Sequence, residues 1–187
     1  AICGKWINSP GRTLLNKLKN DLEADYLPII AEDLGVITPD VEKLRKSFKL
    51  PGMKILQFAF DGNENNPYLP RNIEGENWVV YTGTHDNSTS VSWWESLDSE
   101  SKSRIRDEFK FSDNPSWNLI EIGMNTDANL FIAPIQDILS LDDSCRLNKP
   151  GTIKNNWKWK LNQSLEEIEK NIRIFSELGL NSGRVHN

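Results

Sequence analysis

The chain has 187 residues, 37% of them hydrophobic and 26% charged, with a net charge of −5. That length supports one domain with a real core, and that balance excludes an intrinsically disordered chain. The acidic balance argues against nucleic acid as the main partner, because binding phosphates needs a basic face, and no apolar run approaches the ~18 residues of a membrane span.

No signal peptide pattern opens the sequence. It begins Ala1-Ile2-Cys3-Gly4-Lys5-Trp6, without a methionine or a helix start, so the chain is expected to open inside a longer protein. Cys3 and Cys145 are far apart and match no metal spacing; free thiols in a reducing compartment are expected. With only His85 and His186, a histidine-rich metal site is not expected. The glycine-containing turns at Gly35, Gly52, Gly62 and Gly83 lack phosphate-loop spacing, which weighs against nucleotide binding. Seven tryptophans and three tyrosines fit either sugar stacking or core filling.

In chain order, Pro10-Gly11 opens a helix with Leu14, Leu18 and Leu22 on one face. Leu27–Ala31 reads as a buried strand. Thr38-Pro39 opens the next helix, threonine at the N-cap and proline at the first helical position, with Val41, Leu44 and Phe48 on the buried side. Lys54–Phe60 and Trp78–Thr82 read as strands. Ser99–Phe109 is a polar surface helix and Trp117–Met124 a further one. Leu130–Ile135 is the fourth strand. Ser164-Leu165-Glu166-Glu167 is a capping box. It starts a helix with Leu165, Ile168, Ile172 and Phe175 on one face, fraying after Gly179. Alternating helices and apolar strands predict an α/β fold with a parallel sheet covered by helices.

Polar groups follow every expected strand: Glu32-Asp33, Asp61, His85-Asp86-Asn87 and Gln136-Asp137. Barrels and open α/β sheets place their active sites at that end. Neighbouring strand residues point to opposite faces, so Glu32 and Asp33 should not share a pocket. Either Glu32 is catalytic, or the pair only caps a strand, with Asp33 fixing the turn before Gly35 through a backbone N–H or an arginine. The Thr82–Asn87 stretch (TGTHDN) suits a tightly packed polar site or a hydrogen-bonded loop core. Asn148, before Pro150-Gly151, could be a turn residue only. Trp157 and Trp159 alternate around Lys158 and are expected to form a hydrophobic plug at the bottom or side of a barrel.

The blocks IIAEDLGVITPDV, LPGMKILQFAF, NPYLP, VVYTGTHDN, PIQDILSL and RLNKPGT…NWKWK together resemble the 4-α-glucanotransferases. These are the amylomaltases or disproportionating enzymes of the α-amylase clan. The resemblance runs from about Gly4 to Leu161. It implies a (β/α)8 barrel, of which residues 1–187 would be the C-terminal half with strands five to eight. Residues 1–26 would connect strand four to strand five, and residues 162–187 would form a C-terminal helix and tail. The implied activity transfers α-1,4-glucan segments to glucose or maltooligosaccharide acceptors, with retention through a covalent glucosyl-enzyme. No metal, organic cofactor, nucleic acid or membrane is implied, and the implied location is the cytoplasm, or a plastid in a plant or alga.

Residue by residue, the resemblance makes Glu32 the general acid/base and Asp86 the transition-state stabiliser. His85 would bind the same sugar, and Phe58, Asp61 and Asn148 would lie near donor and acceptor subsites. The family's nucleophile is an aspartate in an Arg-Ile-Asp-His-type motif, which this sequence lacks; it is expected upstream of Ala1, leaving the chain inactive and unstable alone. A glucan hydrolase or branching enzyme of the same clan, and a non-catalytic glucan-binding half-barrel, are the competing readings.

Overall fold

The computed structural model describes residue 4 and residues 7–184; the expectations for Cys3 and His186, and for the opening residues other than Gly4, lie outside the described residues. Two compact units divide between Met53 and Lys54.

The first unit holds α1 (Gly11–Asp21) and α2 (Pro39–Ser47). Helix α1 forms where the leucine spacing predicts, and the Lys17–Asp21 ion pair at 2.8 Å links successive turns. Leu14 and Leu22 nevertheless remain exposed. Thr38 and Pro39 take the expected N-cap and first-turn positions of α2. The expected buried side is corrected: Val41 is exposed, Leu44 and Phe48 are half-buried, and the buried residue is Arg45. The strand expected at Leu27–Ala31 does not form. Pro28 has no N–H for a ladder and sits at the centre of a tight turn in which the Ile29 N–H bonds back to the Leu27 carbonyl at 2.8 Å. Only Ala31 reaches outward, its N–H donating to the Pro51 carbonyl at 2.8 Å.

Strand β1 (Gly52–Ile55) straddles the unit boundary. It is shorter than the expected Lys54–Phe60, because Leu56–Phe58 coil into a single 3-10 turn. Strand β2 (Trp78–Tyr81) forms as expected, ending one residue before Thr82. Helix α3 (Ser90–Ser96) was not legible; α4 (Ser99–Phe109) was, residue for residue, and α5 (Pro115–Met124) begins two residues early. Strand β3 (Leu130–Ile132) stops short of Ile135, where Pro134 starts the one-turn helix α6 (Ile135–Ile138). Helix α7 (Leu165–Asn181) starts at the Ser164 cap, whose Oγ accepts the Glu167 N–H, and runs past Gly179.

The sheet order is β1-β2-β3, with β2 and β3 parallel and Val80 opposite Phe131. A parallel pair needs a long crossover, and α3, α4 and α5 supply it. Three strands are therefore present among the described residues rather than the four read from sequence. The second unit's core joins Leu56, Phe60, Val80, Trp94, Leu119 and Phe131. Helix α5 lies on that core closely enough that only glycine fits at Gly123: a Cβ there would stand 2.1 Å from the Phe131 ring. Arg184 closes the end of α5, donating to the carbonyls of Met124, Thr126 and Ala128 at 2.5–2.7 Å. No helix among the described residues is long and apolar enough to cross a membrane.

Candidate active site

In the first unit, Asp33 answers the paired-acid question on its own side. Its Oδ1 accepts the Met53 N–H at 2.7 Å, and its Oδ2 stands 3.2 Å from Arg45 Nε. Both partners that the sequence proposed as alternatives are present at once. Arg45 also donates to the Leu50 carbonyl at 3.0 Å, so one buried guanidinium ties α2 to the chain entering β1. Glu32, next to this fixed carboxylate, is exposed. The residues on either side of it are anchored, Ala31 by its backbone N–H to Pro51 and Asp33 by its carboxylate to Met53.

In the second unit the site is built on the loop that leaves β2. Thr82 and Ser90, at the two ends of that loop, are fully buried and both bind Asp137 of α6. Asp137 Oδ2 accepts the Thr82 hydroxyl at 2.5 Å and the Ser90 hydroxyl at 2.7 Å, and its Oδ1 accepts the Ser90 N–H at 2.8 Å. Burial pushes the Asp137 carboxyl above the ordinary aspartate range, and the three donors act in the opposite direction. The middle of the loop is braced by Gln57, whose side-chain N–H donates to the Ser88 carbonyl at 2.9 Å. Gly83 makes room for that brace: a Cβ would lie 2.8 Å from Gln57 Nε2.

The loop presents His85 and Asp86, both exposed. Asp86 Oδ1 accepts from Asn148 Nδ2 at 2.6 Å and lies 3.2 Å from His85 Nε2. Arg146 fixes the backbone beneath them. Its guanidinium donates to the carbonyls of Asp86 at 2.6 Å and Asn148 at 2.9 Å and to Ser88 Oγ at 3.0 Å, and pairs with Asp143 at 3.3 Å. Asp143 in turn accepts the Thr89 N–H at 2.8 Å. The two segments are thus stitched so that Asp86 and Asn148 meet. A cleft of about 270 Å³ opens beside them, bounded by His85, Ser88, Pro134, Gln136 and Arg146.

Of the residues singled out from sequence, His85, Asp86 and Asn148 come together. Phe58 ends the 3-10 turn after β1, is exposed, and meets Tyr68 edge-on at 5.5 Å. Asp61 lies on an exposed loop and accepts the Asn63 N–H at 2.9 Å. That backbone bond, with help from Asn66, holds its carboxyl below the ordinary range. Sequence reasoning missed Arg146 and Asp137 as organisers of the site. The available signals were Arg146 two residues before Asn148 and Asp137 after an apolar run.

The tryptophan plug is corrected for Trp157, while Trp159 is half-buried. Trp157 is 62% exposed. Its ring lies 5.0 Å from the His85 ring, tilted by 39°. Core filling is the role of other aromatics: Phe60 meets Phe109 edge-on at 5.0 Å, and buried Trp94 stacks on Phe111 at 5.3 Å.

Comparison with known proteins assigns the chain a family. The 4-alpha-glucanotransferase family profile matches residues 1–166. The chain is 46% identical over 159 residues to the 4-alpha-glucanotransferase of Synechocystis, covering 84% of this chain and 31% of that one. It is 45% identical over 166 residues to the chloroplast/amyloplast 4-alpha-glucanotransferase of Arabidopsis thaliana, covering 88% and 28%. Its structure superposes on the amylomaltase of Streptococcus agalactiae in complex with acarbose. The TM-score is 0.89 at 32% identity, over 98% of this chain and 37% of that one. The chain thus spans about a third of the length of these relatives and shares the amylomaltase fold over that span. With its profile match across residues 1–166, this chain belongs to the 4-alpha-glucanotransferase family.

Proposed function

We propose that the chain works as the C-terminal part of a (β/α)8 4-α-glucanotransferase that moves α-1,4-glucan segments onto glucose or maltooligosaccharide acceptors. The observation that carries this reading is the fastening of Asp86. Its hydrogen bond from Asn148 and its approach to His85 both fall on Oδ1, and Arg146 pins its carbonyl. A carboxylate held by one oxygen can offer the other to sugar hydroxyls, with bonds that strengthen as positive charge develops on the ring. Such a group stabilises the transition state without attacking it.

Glu32 is the general acid/base. It protonates the glycosidic oxygen as the donor is cleaved and removes the proton from the acceptor hydroxyl as the new bond forms. Retention requires a second carboxylate about 5 Å away, on the far side of the anomeric carbon, to form the covalent glucosyl intermediate. That nucleophile comes from a barrel half carrying the Arg-Ile-Asp-His-type motif. His85 and Asn148 hold the sugar beside Asp86, while Phe58 and Asp61 line neighbouring subsites. The soluble α-glucans of a bacterial cytoplasm or a plastid are the natural substrates.

The test is incubation of the complete enzyme, this chain joined to a nucleophile-bearing half, with maltotriose. A ladder of longer and shorter glucans is expected; glucose and maltose alone would point to a hydrolase of the same clan. Glu32→Gln should lower transfer by about a thousandfold with the fold intact, and near-normal transfer would remove Glu32 from the mechanism.

A further inference from the structure

We infer that Trp157 is a sugar-stacking platform at the edge of the Asp86–Asn148 site, a specificity-determining contact for the α-glucan. This rests on the glucan reading above and names which surface reads the apolar side of the sugar.

Three observations converge on the indole. The first is its exposure: at 62%, Trp157 holds out a large apolar surface that an ordinary packing role would bury. The second is its backbone. Trp157 has φ +60 and Asn155 φ +64, a left-handed conformation disfavoured for side chains larger than glycine. Local bonds hold that conformation: the Trp157 N–H donates to the Leu147 carbonyl at 2.7 Å, and Asn156 Oδ1 accepts the Lys149 N–H at 3.0 Å. The chain therefore invests structure in displaying the ring rather than in hiding it.

The third observation is what the ring adjoins. It lies against His85 with centroids 5.0 Å apart, and His85 Nε2 stands 3.2 Å from Asp86 Oδ1. Leu147, whose carbonyl holds the Trp157 backbone, is next to Asn148, which donates to the same Asp86 oxygen. Indole, imidazole, carboxylate and carboxamide thus form one continuous surface. Its chemistry is split: an open apolar face beside a cluster of charged and amide groups. A glucose unit is split in the same way, with axial C–H groups on its faces and hydroxyls around its rim. A ligand with only polar edges would leave the indole wet, and a wholly apolar one would strand the Asp86 charge.

The experiment titrates the complete enzyme, this chain joined to a nucleophile-bearing half and carrying Glu32→Gln so that the sugar is not turned over, with maltotriose and follows both partners by NMR. The expected result with Trp157 intact is an upfield ring-current shift of sugar C–H protons, with perturbation of the indole N–H that disappears from the Trp157→Phe spectrum. Trp157→Ala should weaken maltotriose about tenfold, and Trp157→Phe, which keeps a smaller face, by no more than about threefold. Asn148→Ala should weaken the sugar without abolishing the ring-current shift at saturation. If the enzyme with Trp157 intact binds maltotriose but shows no ring-current shift, or if Trp157→Ala binds as tightly, the platform is wrong and the glucan site stands. If Phe is as damaging as Ala and both lower the melting temperature alike, the indole is a structural wedge and the platform is again wrong. If the complete enzyme with Trp157 intact binds no maltotriose at millimolar concentration, the glucan reading and the platform fall together.

Discussion

Asp137→Ala should destabilise the second unit by about 2–5 kcal/mol, a large fraction of the 5–15 kcal/mol typical of a domain. The carboxylate accepts the hydroxyl protons of Thr82 and Ser90 and the Ser90 N–H, all at sites closed to water. Alanine leaves these three donors buried. The Ser90 N–H cannot turn away and loses about 1–3 kcal/mol, whereas the two hydroxyls rotate and together lose a similar amount. Asp137→Asn separates charge from shape. Its carbonyl still takes the Ser90 N–H, its amide donates to the two hydroxyl oxygens, and a desolvated charge is removed. That variant should fall within about 1 kcal/mol of wild type. Urea unfolding followed by tryptophan fluorescence suits the comparison, since six of the seven tryptophans lie beyond Met53. An alanine variant within about 0.5 kcal/mol of wild type, or an asparagine variant as weak as alanine, would refute the role given to this carboxylate.

The same group sets a pH dependence. Burial raises the folded-state pKa of Asp137, so the folded chain holds its proton where the unfolded chain has released it. Its contribution is full at low pH and falls as pH rises from the ordinary value near ~3.9 through the raised one; melting temperatures across that window should decline, and Asp137→Asn should flatten the decline. Gly123→Ala should cost about 1–3 kcal/mol by driving a methyl into the Phe131 ring, and an unchanged melting temperature would show that α5 can lift off the sheet freely. In the first unit, Arg45→Ala leaves the Asp33 carboxylate, 11% exposed, without its cation and should cost about 3–5 kcal/mol. Hydrogen exchange reads this locally: the Met53 amide should lose protection, and retained protection would dissociate it from the ion pair.

Helices with a start signal were legible in the sequence, and elements formed by long-range contact were not. Ser99–Phe109 and the Ser164 cap carry their signals within one turn. Helix α3 carries only a threonine cap, Thr89, whose hydroxyl accepts the Ser92 N–H at 3.4 Å. Its Ser90-Val91-Ser92-Trp93-Trp94 run has poor intrinsic helicity, and burial of Trp94 and the hold of Asp137 on Ser90 across 47 positions of sequence complete it. Leu27–Ala31 shows the opposite failure. Its apolar run satisfied the strand pattern while Pro28 removed the N–H that a ladder needs. The site divides along the same line. His85 and Asp86 stood out by residue type and by family resemblance, and Asn148 by the resemblance alone. Arg146 could not be ranked, because two of its four partners, Asp86 and Ser88, lie on the distant β2–α3 loop that only the fold brings to it. Trp157 was misassigned because a strand-like alternation was assumed where the backbone turns left-handed.

The way Asp137 grips the β2–α3 loop has a bearing on how the site can change. All of its bonds go to Thr82 and Ser90, and none goes to the residues between them that face the cleft. The loop's position and the loop's chemistry are therefore written in separate residues. A substitution at His85 alters what the cleft offers a ligand without touching the anchors that place it, whereas a change at Thr82, Ser90 or Asp137, or at Ser88 where Gln57 and Arg146 take hold, disturbs the placement of the loop. Libraries meant to change what the cleft binds belong at His85, and the anchoring residues are best kept fixed.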